Sequence, residues 1–562
     1  MGQILFVIFI LSMLAVVTVG NAFAFLIVWE IMSLSSYFLV VFDSTNKKSI
    51  EAGTIYLVMT HIGTALLTIA FLLMYKHCGS FDFSVLHNAL ISLPERQKDI
   101  IFLLLLFGFG TKAGIVPLHI WLPYAHPQAP SHISSLMSGV MIKTALYGII
   151  RFIILILGVN SLWWGELVIV LACISCLVGV IYALMEQDIK TLLAYSSVEN
   201  IGIILLGIGS SMLFLKLGAS TLAILAMTAG LYHLINHAVF KGLLFLGAGS
   251  IYNATGTRNI EKLGGLIKSM PWTAAYFLIG SMAISALPPI NGFISEWLTL
   301  IMLFLGALTY TGGMKIFLCF TAAILALTGG LAAACFTKAF GITFLAQPRS
   351  ARAQDAKESS LSMNIGMGIL AFFCIALGLG AAYFIALISS VANFATGLNM
   401  AKINFSLNPF VVAPHPHIFL SPLLLSGILI IIAAFFTLGL RLFFGKAKVT
   451  IGPTWDCGYY KLTHRNEYTA TGFSKPFRLA FSFFLFPFHK VQKIKESRYH
   501  IKSFAYETHT TKIFLEYFYK NFIAGIFGTG KYMRNIQAGS IHIYLGYICL
   551  TILLLLVFIG WF

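Results

Sequence analysis

The sequence predicts an all-α polytopic membrane protein with about 13 transmembrane helices. Hydrophobic residues make up 59% of the 562 residues and charged residues only 10%, and the mean hydropathy is +0.91. A soluble domain carries roughly a quarter charged residues, and a disordered chain is poor in apolar residues. The composition therefore excludes both of these classes and indicates a chain that is largely embedded in a bilayer.

Apolar runs long enough to cross a bilayer occur along the whole chain. A hydrocarbon core roughly 30 Å thick requires about 20 apolar residues in a helix. The predicted spans lie at 3–18, 22–42, 52–75, 98–123, 132–157, 161–185, 191–209, 221–250, 272–308, 316–344, 363–388, 418–440 and 540–562. The first of them lacks a basic leader and a small-residue cleavage site, so we interpret it as a span and not as a signal peptide.

Two predicted spans are interrupted by proline and glycine. The run 98–123 contains GFGTKAG at 108–114, and the run 272–308 contains LPPING at 287–292. Because proline removes a backbone donor and glycine loosens a helix, each run should contain an unwound stretch. Charged residues lie close by, Lys112 in the first run and Glu296 in the second. Paired interrupted helices are typical of inverted-repeat transporters.

The charge distribution predicts an orientation. The formal net charge is +17, but the positive charges flank apolar runs, so we expect a lipid bilayer and not nucleic acid as the partner. Loops after even-numbered spans hold nine Lys and Arg residues, loops after odd-numbered spans hold six, and residues 441–538 add 16 basic residues to the even side. The N-terminus and 441–538 are therefore predicted in the cytoplasm, and the C-terminus outside.

The cysteines predict no cofactor. Cys173 and Cys176 form the only C-x-x-C pair, and it lies inside an apolar run. A zinc ribbon requires a second pair, and a redox motif requires a βαβ context. We therefore interpret the pair as small residues in a membrane helix, and we expect no iron–sulfur, haem or metal site.

Several ionisable residues are predicted at membrane depth, where each costs at least roughly 2.5–3.5 kcal/mol. They are Glu30, His61, Lys112, Lys143, His233, His237, Lys241 and Glu296. The residues at 233, 237 and 241 share one helix face at spacings of four. The histidines are interpreted either as helix-packing groups or as a proton relay, and a Glu30–Lys112 ion pair either as structural or as a switch. Lys190 and Lys338 are expected to snorkel to the interface.

Five stretches carry a resemblance to a known family. They are WEIMSLSSY at 29–37, TKAGIVPLH at 111–119, APSHISSL at 129–136, DIKTLLAYSS at 188–197 and HAVFK at 237–241. Together they resemble the antiporter-like proton-translocating subunits of respiratory complex I, Mrp antiporters and membrane-bound hydrogenases, over at least residues 20–345. MSGVMIKT at 137–144, WDCGY at 455–459 and QAGSIH at 537–542 resemble the branch of this family found in hydrogenase-4 (its B component) and in formate hydrogenlyase (its subunit 3).

The resemblance implies roles for the buried charges. A glutamate and a lysine form a switching ion pair in this family, and Glu30 and Lys112 match them. Lys143 matches a central lysine, the relay helix is matched by His233, His237 and Lys241, and Glu296 matches the terminal residue. The chain itself would carry no redox centre. Its partners would be other membrane subunits of the same complex and a peripheral redox arm, and the ion would be the proton, with Na⁺ as an alternative.

The resemblance also implies a domain organisation and leaves alternatives open. We expect an antiporter-like core at 1–344, additional membrane helices at 345–440, a basic segment at 441–538 with an interfacial helix near 510–535, and an anchor at 539–562. Relatives usually have three more helices before the Trp-Glu helix, where this chain has one predicted span, so a shortened chain or a misplaced start is expected. The alternative functions are an Mrp-type Na⁺/H⁺ antiporter subunit, a subunit for inorganic-carbon uptake and a non-pumping scaffold.

Overall fold

The structure is a computed structural model that describes 2–398, 411–415, 418–445, 452, 457–459, 461–495, 497, 501–536 and 541–560. It divides into two compact units, with the boundary after Pro476. Residues 455 and 456 of the WDCGY motif and residues 537–540 of the QAGSIH motif lie outside the described residues.

The first five membrane crossings form one half of the core. Their elements, with the short helices that connect them, are α1 (Gly2–Thr18), α2 (Ala22–Val40), α3 (Lys47–Cys78), α4 (Phe83–Ala89), a 3₁₀ turn at Leu90–Ser92, α5 (Glu95–Ala113), a 3₁₀ turn at Leu118–Ile120, α6 (Trp121–Gln128), α7 (Ser131–Leu136), a π-helix at Met137–Met141, α8 (Ile142–Gly148) and a π-helix at Ile149–Leu157. The fourth crossing is the interrupted one, because α5 ends at Ala113, the next residue Gly114 has a φ of +80°, and α6 begins only at Trp121. The predicted break in 98–123 is confirmed.

The next five crossings repeat this arrangement. Their elements are α9 (Leu162–Met185), α10 (Ile189–Lys216), α11 (Ser220–Thr255), a 3₁₀ turn at Ile260–Lys262, α12 (Pro271–Ile284), α13 (Asn291–Thr309) and α14 (Gly312–Phe344). The fourth crossing is again interrupted, between α12 and α13. Because each half has an odd number of crossings, the second half runs through the membrane in the opposite sense to the first.

The elements that follow the core are shorter. They are α15 (Ala351–Gln354), α16 (Leu361–Leu379), α17 (Ala381–Ala395), β1 (Val412–His415), β2 (Ile418–Leu420), α18 (Pro422–Phe444), a 3₁₀ turn at His464–Asn466 and α19 (Ala470–Ala480). The predicted span 363–388 is wrong as a single helix, since the chain breaks at Gly380. The predicted span 418–440 begins too early, because 418–420 pair with β1 and the helix begins at Pro422.

The second unit begins at Phe477 and holds the later part of the basic segment and the last helix. Its elements are α20 (Ser482–Leu485), β3 (Phe488–Lys495), β4 (Ile501–His509), a π-helix at Phe514–Tyr519, α21 (Lys520–Ile536) and α22 (Ile541–Gly560). The expected helix near 510–535 is present, and so is the helix of the expected anchor. The antiparallel β3–β4 ribbon was not predicted from the sequence.

Eleven of the described helical segments are long and apolar enough to cross a membrane, and four shorter apolar helices accompany them. Helix α10 lies at the centre of the core and is buried from Ile189 to Phe214. Small residues allow this close packing. A Cβ atom on Gly179 of α9 would lie 2.4 Å from the backbone nitrogen of Glu199, and one on Gly207 would lie 2.6 Å from the Cα of Gly230.

Candidate functional site

Lys112 lies in the last turn of α5, directly before the first break, and only 2% of its surface is exposed. Its ammonium group donates hydrogen bonds to Ser33 Oγ at 2.9 Å and to the Tyr56 hydroxyl at 2.8 Å. The rings of Trp29 and Tyr56 lie 5.9 and 5.0 Å from the same nitrogen. Neutral oxygens and aromatic faces therefore surround this buried cation.

Glu30 is on α2, one turn before Ser33, and its side chain is 26% exposed. Its Oε2 atom lies 3.6 Å from His61 Nε2 on α3, and the two form an ion pair when the imidazole is protonated. The direct Glu30–Lys112 pair that the resemblance implied is absent from this arrangement. The reason is positional, because Lys112 reaches α2 at Ser33 while Glu30 turns outward to His61.

Lys143 lies on α8, directly after the π-helix Met137–Met141. The Ile142 N–H donates to the Met137 carbonyl, one residue further back than in an α-helix, so it does not use the Ser138 carbonyl. That carbonyl accepts a hydrogen bond from the Lys143 ammonium group. Ser138 Oγ also lies 2.8 Å from Ser197 Oγ, which connects this segment to α10. The π-helix thus provides the lysine with a backbone acceptor.

The three relay residues on α11 are fully buried on one helix face, as predicted. His233 contacts two helices, with Nδ1 2.9 Å from Ser295 Oγ on α13 and Nε2 3.2 Å from Asn200 Oδ1 on α10. Lys241 donates to Leu193 O at 2.9 Å and to Ser196 Oγ, both on α10. Neither ring nitrogen of His237 has a hydrogen-bond partner among the described residues.

Glu296 is buried on α13, just after the second break. A Cβ atom on Gly329 would lie 3.3 Å from its Oε2 atom, so the backbone of α14 comes close to the carboxyl group. Residues 285–290 are not helical, which confirms the predicted interruption. Gly292 was expected in the unwound stretch, but it is the second residue of α13. Asn236 Nδ2 donates to Asn291 O at 3.0 Å and fixes the break to α11.

The similarity of this chain to known proteins indicates its family. Residues 20–324 match the model of the family described as NADH:quinone oxidoreductase/Mrp antiporter, TM. Hydrogenase-4 component B of Escherichia coli K12 is 40% identical over 563 residues, which cover 98% of this chain and 82% of that protein. Formate hydrogenlyase subunit 3 of the same organism is 37% identical over 471 residues, which cover 83% of this chain and 72% of that protein.

The chain belongs to the NADH:quinone oxidoreductase/Mrp antiporter family. Within this family it is a proton-translocating type of membrane subunit, akin to hydrogenase-4 component B and formate hydrogenlyase subunit 3. The fold also matches a chain of an archaeal membrane-bound sulfane sulfur reductase, with a TM-score of 0.77 at 23% identity, over 98% of this chain and 83% of that one. That chain is part of an archaeal respiratory membrane complex.

The core holds buried ionisable groups that the sequence analysis did not select. Glu199 on α10 is 1% exposed and lies two residues beyond the motif 188–197. His126 on α6 is fully buried, and neither of its ring nitrogens has a hydrogen-bond partner in the described ranges. The charges of Lys143, Lys190 and Lys241 all act on His126. The signal for Glu199 was present, since an acidic residue in an apolar run is itself unusual.

Two lysines that were expected to snorkel are instead buried. Lys190 is 3% exposed and donates to Ala129 O at 2.8 Å. Lys338 donates to the carbonyls of Leu184 and Glu186 at 2.7 Å each, where α9 ends. A cation at a helix C-terminus satisfies carbonyls that lack intrahelical partners. Their ammonium groups therefore bind backbone oxygens in the protein and do not extend to the membrane surface.

Proposed function

We propose that protons cross this subunit along a chain of buried groups formed by Glu30, Lys112, Lys143, His233, His237, Lys241 and Glu296. The proposal rests on the positions of these residues, which lie on helices of both halves of the core, from α2 in the first half to α13 in the second. Five of the seven are lysine or histidine side chains with less than a tenth of their surface exposed. Such groups are costly in a membrane interior, and this cost favours a functional role over a scaffold.

The switch in this proposal is the position of Lys112. In the arrangement described above, its ammonium group binds Ser33 and Tyr56, and Glu30 is paired with His61. A second arrangement would bring Lys112 back to Glu30, one helical turn away on α2. A proton released toward Lys143 accompanies the change between them. The two arrangements form a bistable element that a driving reaction can bias.

Protons enter through a polar cavity of about 590 Å³ at the end of the core where α2 and α6 end and α10 begins. Its wall includes Gln128, Lys190 and the ion pair between Arg258 Nε and Asp188 Oδ2, 3.0 Å apart. Lys190 and Ala129 both line this cavity, and the Lys190 ammonium donates to Ala129 O. His126 lies one turn before Ala129, with its ring 5.2 Å from Phe245.

The driving reaction occurs in a partner. The relatives hydrogenase-4 component B and formate hydrogenlyase subunit 3 support a hydrogenase-type or NADH-dehydrogenase-type peripheral redox arm. The protein would lie in the cell inner membrane, with its N-terminus and residues 441–538 on the cytoplasmic side and its C-terminus outside. Its domains would be the core at 1–344, accessory helices at 345–440, the basic segment at 441–538 and the anchor at 539–562.

The test of this function uses the intact complex, purified with all its subunits and reconstituted into proteoliposomes that contain a trapped pH dye. A K⁺ diffusion potential should drive proton uptake equally well with and without Na⁺. Lys112→Ala should reduce the rate roughly 100-fold, the lower end of what a positioned proton-transfer group contributes. Lys315→Ala, at an exposed position on α14, is the matched control and should have no effect.

Two results would contradict the proposal. Wild-type proton uptake in Lys112→Ala, with normal assembly, would remove the path through this lysine. Proton movement that requires Na⁺ on the opposite side would instead indicate an Na⁺/H⁺ antiporter subunit.

Helix α21 would lie at the membrane interface and bind a neighbouring subunit. Its exposed aromatic residues Phe522, Phe527 and Tyr532 are interleaved with Lys531 and Arg534, a pattern that suits an interfacial helix next to anionic headgroups. Deletion of 510–562 should reduce copurification of the partner subunits more than it changes the core.

The double variant Phe527→Ser/Tyr532→Ser separates helix α21 from the anchor, because it leaves α22 in place. It should also weaken copurification, although less than the deletion does. Full yield of the partners with the deleted chain would contradict the docking role of this segment.

A further inference from the structure

Glu199 is a buried carboxyl group to which the proposed path gives no role. It lies on α10, the most enclosed helix of the core, and 1% of its surface is exposed. Its Oε2 atom has no hydrogen-bond partner in the part of the chain that the structure describes. Leaving such an oxygen unsatisfied in a membrane interior is costly unless another charge or a moving proton is nearby.

Glu199 and Glu30 lie on corresponding helices of the two halves, although the serine that binds a buried lysine follows Glu30 and precedes Glu199. Glu30 lies on α2, the second helix of the first half, and Glu199 lies on α10, the second helix of the second half. In each case a serine three residues away on the same helix accepts a hydrogen bond from a buried lysine. Ser33 accepts from Lys112, and Ser196 accepts from Lys241.

The lysine that binds this serine lies on a different element in each half. In the first half it comes from the interrupted crossing, and in the second half from the unbroken helix α11. The interrupted crossing of the second half supplies Glu296 instead. Lys241 donates to Ser196, one turn before Glu199 on α10. His233 connects Asn200, the residue after Glu199, to Ser295, the residue before Glu296 on α13. Glu199 is therefore flanked on α10 by one residue that contacts Lys241 and by another that is connected to the residue before Glu296.

We propose that Glu199 carries protons between Lys241 and Glu296. The Lys241 ammonium releases a proton to the Glu199 carboxylate, which leaves a neutral amine and a carboxylic acid. The acid then passes the proton to the Glu296 carboxylate, and Glu199 becomes charged again. This step rests on the proposed function, and it gives the second half a proton-carrying carboxyl group on the helix that corresponds to α2.

The test uses the reconstituted intact complex with Glu199→Gln, Glu199→Asp and the control Glu51→Gln, which changes an exposed carboxyl group on α3. Glu199→Gln should slow potential-driven proton uptake roughly 100-fold. Glu199→Asp should restore part of the rate, and the control should match the wild type. Infrared difference spectra between two pH values should lose one deuterium-sensitive band of a protonated carboxyl group in Glu199→Gln only.

Each other outcome overturns the inference. A wild-type rate in Glu199→Gln, while Lys112→Ala is inactive, would leave the path intact and exclude Glu199 from it. A slow rate with every carboxyl band retained would make Glu199 a fixed counter-charge for Lys241. If both Lys112→Ala and Glu199→Gln transported normally, the proposed function itself would fail.

Discussion

The two halves of the core share a fold, but a buried lysine has different surroundings in each half. In the first half, Lys112 is held by hydroxyl groups and aromatic rings, and the nearest helix-borne carboxyl group, Glu30, is partly exposed. In the second half, Lys241 binds a serine and a carbonyl on α10, and Glu199, on the same helix, is fully buried.

This difference suggests a division of tasks. Both lysines bind neutral oxygens, but Glu30 is partly exposed to solvent and close to His61, so loss of the Lys112 proton leaves no fully buried carboxyl group without compensation. Glu199 is fully buried, so loss of the Lys241 charge would leave it uncompensated in a low-dielectric environment. In the proposed path, the first half would therefore be suited to switching, and the second half would be the enclosed conduit.

The largest expected effect on stability distinguishes the two lysines. Lys241→Ala should destabilise the complex by up to about 3–5 kcal/mol, because it removes the cation that binds one turn from the fully buried Glu199 and leaves this carboxyl group uncompensated. Lys112→Ala should cost only about 1–3 kcal/mol, because it leaves neutral hydroxyl groups without one hydrogen bond. Thermal denaturation of the purified complex, followed by partner dissociation, measures both. Equal destabilisation by the two variants would contradict the division of tasks.

Replacing a glycine by alanine at the helix breaks should lower stability by different amounts in the two halves. A Cβ atom on Gly292 would lie 1.8 Å from the Ala283 carbonyl oxygen, which is backbone and cannot move aside. At Gly114 the nearest atom, 1.9 Å away, is the end of the flexible Leu122 side chain, although its φ of +80° adds strain. Gly292→Ala should therefore lower stability by about 1–3 kcal/mol, the usual cost of overpacking, and by more than Gly114→Ala does.

Gly330→Ala on α14 is the control for these variants, since a Cβ atom there would meet no atom within 4 Å. It should leave the denaturation midpoint unchanged. If Gly114→Ala proved the more damaging of the two, backbone conformation and not close approach would dominate at the breaks.

The sequence predicts the membrane fold and the two breaks well, because hydropathy and proline are local signals. It also predicts the buried residues at 112, 143 and 241, since each lysine interrupts an apolar run. It does not predict that Lys112 binds Ser33 and not Glu30, because that depends on how α2 and α5 are rotated against each other. Glu199 carries a sequence signal as an acidic residue in an apolar run, but its proposed role depends on the contacts that α10 makes in space.

The smallest expected effect concerns Glu30, and it tests the claim that the first half does not depend on a buried charge pair. The Glu30–His61 ion pair is partly exposed, and such pairs contribute about 1 kcal/mol or less. Glu30→Gln should therefore slow proton uptake only a few-fold, because about 1 kcal/mol in a barrier corresponds to that factor. Lys112 can still change its protonation in this variant, with Ser33 and Tyr56 as its partners. Proton uptake in proteoliposomes, compared with Glu51→Gln, measures the effect. A loss of proton uptake as large as that in Lys112→Ala would mean that Lys112 must return to Glu30 in every cycle. The first half would then depend on a charged carboxyl group as strictly as the second half does.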